Sequence, residues 1–111
     1  MQRLSHTASD REIVISLSGE IIMDMVVERK AEITGLVRDH GGDTVTLDLS
    51  GVTFMDSSGV GLLIGLRRLC QEQNKTFHVT NPPAHIHKLF EMLRLTRYFS
   101  LPPGPTDAPP A

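Results

Sequence analysis

Residues 44–68 read "TVTLDLSGVTFMDSSGVGLLIGLRR", and this stretch carries a strand, a junction and a helix. "TVTLDL" at 44–49 is rich in β-branched residues and short enough for a buried strand. Past the junction, Leu62, Leu66, Leu69 and Cys70 recur at helical spacing, which predicts a helix from Ser58 to about Gln73. A strand that feeds a helix through a serine- and glycine-rich corner is half of a βαβ unit. The remaining chain either repeats that unit or contradicts it.

It repeats it. Upstream, "REIVISLSGE" at 11–20 alternates Ile13, Ile15 and Leu17 with partly polar neighbours, a strand that halts at Gly19. "RLSHTA" at 3–8 is a weaker strand signal. From Met23 to His40 the period becomes helical, with Met23, Val26, Ile33, Leu36 and Val37 on one stripe and Lys30 near its edge. "HGG" ends it in the manner of a glycine C-terminus. Downstream, "KTFHVT" at 75–80 is a further strand. "PAHIHKLFEMLR" at 83–94 places Ile86, Leu89, Phe90 and Leu93 at i, i+3, i+4 and i+7. "LTRYFSL" at 95–101 reads as a short strand or turn, and "PPGPTDAPPA" at 102–111 as a disordered tail. Alternating strands and helices predict an α/β domain over residues 1–101, with a mainly parallel sheet.

The bulk properties narrow function by exclusion. The chain has 111 residues, 40% hydrophobic and 22% charged, with a formal net charge of −2. One modest core fits that length, and the charge gives no reason to expect nucleic acid or an anionic membrane as partner. One cysteine, Cys70, cannot form an internal disulfide and fits a reducing compartment. No apolar run approaches a membrane span, no secretory leader is visible, and the expected location is the cytoplasm. None of the five histidines falls in a ligand-like cluster. His85 and His87 diverge by about 200° on a helix and are expected to be solvated flank residues. No catalytic residue, metal or cofactor is expected.

The junction, "FMDSSGVG" at 54–61, follows a strand and opens a helix, where α/β proteins place functional loops. Four readings compete. Asp56 or Ser57 caps the helix by accepting from its first N–H groups. A serine nucleophile needs a base and an orienting group, yet Met55 and Gly59 do not make the G-x-S-x-G corner. A nucleotide cradle needs the P-loop lysine or G-x-G-x-x-G spacing, and neither is present. Finally, the serine is itself the substrate of a kinase. A phosphate at a helix N-terminus meets free N–H donors and the positive dipole end. It also adds about −1.5 to −2 charge units where a partner docks. At 100° per residue, Ser57, Gly61, Ile64, Gly65 and Arg68 form an outward strip. Two glycines inside a helix cost about 1 kcal/mol each against alanine. Either they admit a partner's backbone, or they pack under a neighbouring loop.

"VTLDLSGVTFMDSSGVGLLIGLRR" together with "KTFHVTNPPAHIHKLFEMLRLTRYFSL" resembles the STAS domain family, specifically the single-domain anti-sigma factor antagonists of bacteria. The likeness runs from about Arg11 to Leu101. It implies a small mixed sheet of about four to five strands, mainly parallel, with helices on one side. It also implies a partner switch. The unphosphorylated antagonist binds an anti-sigma factor that is a serine kinase; phosphorylation releases it, and a PP2C-like serine phosphatase resets it. Carried over, the phosphoacceptor is Ser57, flanked by Asp56, Ser58 and Gly59. The partner surface takes in Gly61, Ile64, Gly65 and Arg68, with Glu20 and Asp24 nearby. The family usually reads G-E-[LI]-D after its first long strand, and here Ile22 stands where that Asp is expected. The expected oligomeric state is a monomer or weak dimer. Two rival readings are a constitutively docked STAS subunit of a transport or signalling assembly, and a small-ligand binder.

Overall fold

The computed structural model describes residues 3–101. Along the chain run β1 (Arg3–Ala8), β2 (Glu12–Ile21), α1 (Met23–Asp39), β3 (Thr44–Met55), α2 (Ser57–Glu72), β4 (Thr76–Thr80) and α3 (Ala84–Met92). The sheet has the order β1-β2-β3-β4. β1 is antiparallel to β2, while β2–β3 and β3–β4 are parallel. The expected mixed, mainly parallel sheet is what forms, with four strands among the described residues. The tail at 102–111 lies outside them.

Period-2 alternation sorts the sheet into two faces. Ile13, Ile15 and Leu17 of β2 and Val45, Leu47 and Leu49 of β3 are all buried. The register sets Ile13 against Val45 and Ile15 against Leu47. α1 and α2 pack on each other and against the strands, burying Ile33, Val37, Leu62, Leu63 and Leu66. The opposite face carries hydroxyls, and its most buried member, Thr46, donates to Glu12 Oε2 at 2.5 Å. "LTRYFSL" forms turns, not a strand. It adds Phe99, which packs on Phe90 with ring centroids 5.3 Å apart, and Tyr98, whose ring lies 4.1 Å beneath the Arg67 guanidinium.

Three local expectations change. β3 runs to Met55, six residues past "TVTLDL", because Ser50-Gly51 does not break it. The irregularity shows as two register shifts against β2 in which β3 carries the extra residue, one between Asp48 and Gly51 and one between Val52 and Phe54, beside Gly19 at φ 80°. The end of α1 needs no left-handed glycine; Gly42 is there because a Cβ would meet the Arg11 carbonyl oxygen at 2.3 Å. The last carbonyls of α1 are instead satisfied by Lys75, whose Nζ donates to Val37 O and, at 2.7 Å, to His40 O. His87, expected in solvent, is buried beside Glu91, with Nδ1 3.3 Å from its Oε1. Of the two, only His85 is exposed, its Nε2 2.8 Å from Thr53 O.

Candidate functional site

Two helices start side by side at the carboxyl end of the sheet. Ile21 ends β2 and Met55 ends β3, and the two are register partners. One residue later the chain turns, and α1 begins at Met23 while α2 begins at Ser57. The Asp56 amide donates to Ile21 O at 3.3 Å, which ties the two corners together.

α2 is capped by its sequence. Asp56 is extended, and its Oδ1 accepts from Ser58 N at 2.9 Å and Gly59 N at 3.1 Å. Its carbonyl takes Val60 N at 3.1 Å. Of the two residues proposed for the cap, Asp56 does the work. Ser57 is left at the first helical position, exposed, and its hydroxyl makes no hydrogen bond among the described residues. Ser58 is half-buried and Gly59 buried. A Cβ on Gly59 would lie 2.6 Å from both Ile21 O and Met55 Cγ, so a side chain there would push α2 off the β2 end. Gly59 is therefore a packing residue that holds Ser57 at the surface.

The outward strip is where the spacing put it, with one change. Ser57, Gly61, Gly65 and Arg68 are exposed, whereas Ile64 is half-buried against the core. A Cβ at Gly61 or Gly65 would meet nothing within 4 Å, so neither glycine packs under a loop. Glu20 and Asp24 are both exposed at this end; Glu20 pairs with Phe54 in the register and Asp24 sits in the first turn of α1. Inside α2, burial pushes the Cys70 thiol above its ordinary range against a smaller opposing pull from Lys75. That keeps it protonated and unreactive. Among the described residues no group of three or more His, Cys, Asp and Glu could hold a metal ion, and no helix is long and apolar enough to cross a membrane.

α1 begins differently. Its N-cap is Ile22, extended at φ −120°, with no side-chain cap bond. Met23 and Val27 project from its first two turns, 62% and 76% exposed. The stripe expected to face inward included Met23, but Met25 is the methionine that is buried. At 100° per residue both lie about 80° from Ile33, on opposite sides. Periodicity alone cannot choose between them. The choice is made by the neighbours, since one side of α1 faces the sheet and the other opens toward α2. The exposed pair Met23 and Val27 is the feature that the sequence pattern missed. The available signal was Val27 itself, which lies off the apolar stripe.

Comparison with known proteins comes to the same arrangement. The family model described as "Mlab, STAS domain" matches residues 4–103. An anti-sigma F factor antagonist of Lysinibacillus sphaericus is 33% identical over 79 residues, which is 71% of this chain and 68% of that protein. Among solved structures, the anti-sigma factor antagonist SpoIIAA in its unphosphorylated form superposes with a TM-score of 0.74 at 26% identity. That match covers 88% of this chain and 84% of that one. The phosphorylated form of the Bacillus cell fate determinant SpoIIAA superposes at 0.68, again at 26% identity, over 88% and 87% of the two chains.

Proposed function

This chain belongs to the STAS domain family, and from that premise we propose that it is an anti-sigma factor antagonist switched by phosphorylation of Ser57. Unphosphorylated, it binds a serine-kinase anti-sigma factor through Ser57 and the strip of Gly61, Ile64, Gly65 and Arg68. Glu20 and Asp24 lie at the rim. The kinase moves the γ-phosphoryl group of ATP to Ser57 Oγ, the hydroxyl proton is lost and ADP leaves. A PP2C-like serine phosphatase hydrolyses the ester and restores the binding form.

One observation carries this reading: Asp56 caps α2, so Ser57 is exposed and the fold makes no use of its hydroxyl. A phosphate there sits at the positive end of a helix dipole, which tolerates it. A partner meeting the strip meets about −1.5 to −2 new charge units. Binding is thus switched while folding is left alone. Relatives named as anti-sigma factor antagonists, and SpoIIAA solved in both phosphorylation states, support the assignment.

The test is incubation with ATP and a serine-kinase anti-sigma factor from the same organism, read by intact mass. One phosphoryl group is gained by the native chain and none by Ser57→Ala. Equal phosphorylation of Ser57→Ala would sink the assignment. Ser57→Asp weakens kinase binding by about tenfold or more with the thermal midpoint unchanged. A second reading, a subunit docked constitutively in a larger assembly, draws on Ile22, which stands where the resemblance leads one to expect the family's usual Asp. It predicts a partner that binds Ser57→Ala and Ser57→Asp alike.

A further inference from the structure

The proposed partner surface is drawn on α2, but α1 continues it. A groove of about 230 Å³ separates the two helices, walled by Lys30, Thr34 and Arg38 on one side and by Gly65, Leu69 and Glu72 among others on the other. On α1, Met23 and Val27 fall within about 80° of arc with those three wall residues. They therefore prolong the same wall toward the start of the helix, which lies beside Ser57 because Ile21 and Met55 are register partners. The groove itself spans about 12 Å of α1, from Lys30 to Arg38, and with Met23 and Val27 this face of α1 runs about 22 Å at 1.5 Å per residue. It is graded along that length. Beside Ser57 it is apolar, with Met23 62% and Val27 76% exposed. Beyond Val27 it carries Lys30 and Arg38 against Glu72 on the α2 wall, and the exposed Arg68 near that wall leaves this end net positive.

Local rules are broken at the apolar end. A helix N-terminus favours a polar cap and a polar first turn, whereas here Ile22 caps nothing and two large apolar side chains face water. Sequences break such rules chiefly at functional sites. Gly65, on the facing wall, has open space at its missing Cβ and so admits close approach.

We infer that the α1/α2 groove seats an amphipathic helix of the same partner that recognises Ser57, apolar where it meets Met23 and Val27 and acidic where it meets Lys30 and Arg68. This rests on the switch described above and adds the chemistry of the partner. Apolar anchors at helical spacing in line with a groove between two helices fit helix-in-groove recognition, and the net positive far end fixes the direction of the bound helix by charge. The phosphate on Ser57 then appears beside the apolar contact, where a buried charge is least tolerated.

The test is steady-state phosphorylation of Ser57 by a serine-kinase anti-sigma factor that modifies it, with the chain as varied substrate. Val27→Glu and the uncharged Val27→Gln raise KM by about tenfold and about threefold while kcat and thermal midpoint hold, since Val27 is 76% exposed in the free protein. Lys30→Glu raises KM by about threefold. Gly65→Ala raises both the thermal midpoint and KM, an opposition that misfolding cannot produce. An unchanged KM in both Val27 variants, with Ser57 still phosphorylated, overturns the groove and leaves the switch standing. If no kinase modifies Ser57, the switch and the groove fall together. Binding of the native chain to phosphatidylglycerol vesicles, lost in Val27→Glu, would assign the patch to a membrane and overturn the inference.

Discussion

The two helix starts at the carboxyl end of the sheet are neighbours built on opposite logic. At α2, Asp56 satisfies two amides, Gly59 allows the helix to sit against Ile21, and Ser57 stands free on that support. At α1, the Ile22 side chain supplies no acceptor and apolar side chains project outward. The strands beneath end together, with Ile21 paired to Met55, so the scaffold does not explain the contrast. What differs is where each corner spends its residues. One is stabilised so that a serine can be modified without disturbing the fold. The other leaves stability unclaimed and presents surface. The division is between a residue that is written on and a surface that reads.

Gly59→Ala is the sharpest way to break that contrast. The new Cβ falls 2.6 Å from the Ile21 carbonyl oxygen, and backbone cannot swing aside as a side-chain tip can. We expect a loss of about 1–3 kcal/mol in urea unfolding, with the slope unchanged. A loss below a few tenths would mean that α2 shifts freely on the β2 end, and that the corner is no rigid platform. Next comes the pair Asp56→Ala and Ser57→Ala. Removing the cap costs about 1–2 kcal/mol, whereas removing the exposed hydroxyl changes stability by less than about 0.5 kcal/mol. Similar losses for the two would return Ser57 to the role of a cap and remove the separation of folding from switching.

The α2 corner was legible in the sequence and the α1 corner was not, for a physical reason. A cap is a local device: Asp56 bonds amides two and three residues away, so residue order displays it. The strip of Gly61, Gly65 and Arg68 follows from helical period alone. Ile64 departs from it because a half-buried position depends on how far the neighbouring core reaches. At α1, the exposure of Met23 and the burial of Met25 depend on which flank the sheet covers, a tertiary fact that two methionines equidistant from Ile33 cannot encode. His87 escaped for the same reason, since its burial depends on α3 folding back over the β3 end. The extension of β3 to Met55 hid behind Ser50-Gly51, where β3 bulges against β2 and then resumes its pairing.

The smallest expected effect bears on the α1 corner itself. Ile22→Asp restores the acceptor that the N-cap lacks and places a carboxylate at the positive end of α1, favourable by about 0.5–1 kcal/mol. Part of that is offset by lost contact, because Ile22 is half-buried. We expect a net gain of about 0.5 kcal/mol in urea unfolding. The same carboxylate stands beside the corner that carries Ser57, so it adds negative charge where the partner's apolar contact is proposed. Stability and binding should therefore move in opposite directions, with the substituted chain more stable and a poorer kinase substrate. A gain in both would mean that the missing cap serves nothing at this surface. A loss of stability would mean that Ile22 is held by packing and that α1 never lacked support. Only the first outcome keeps the two corners distinct, one spending its residues on the fold and the other on a partner.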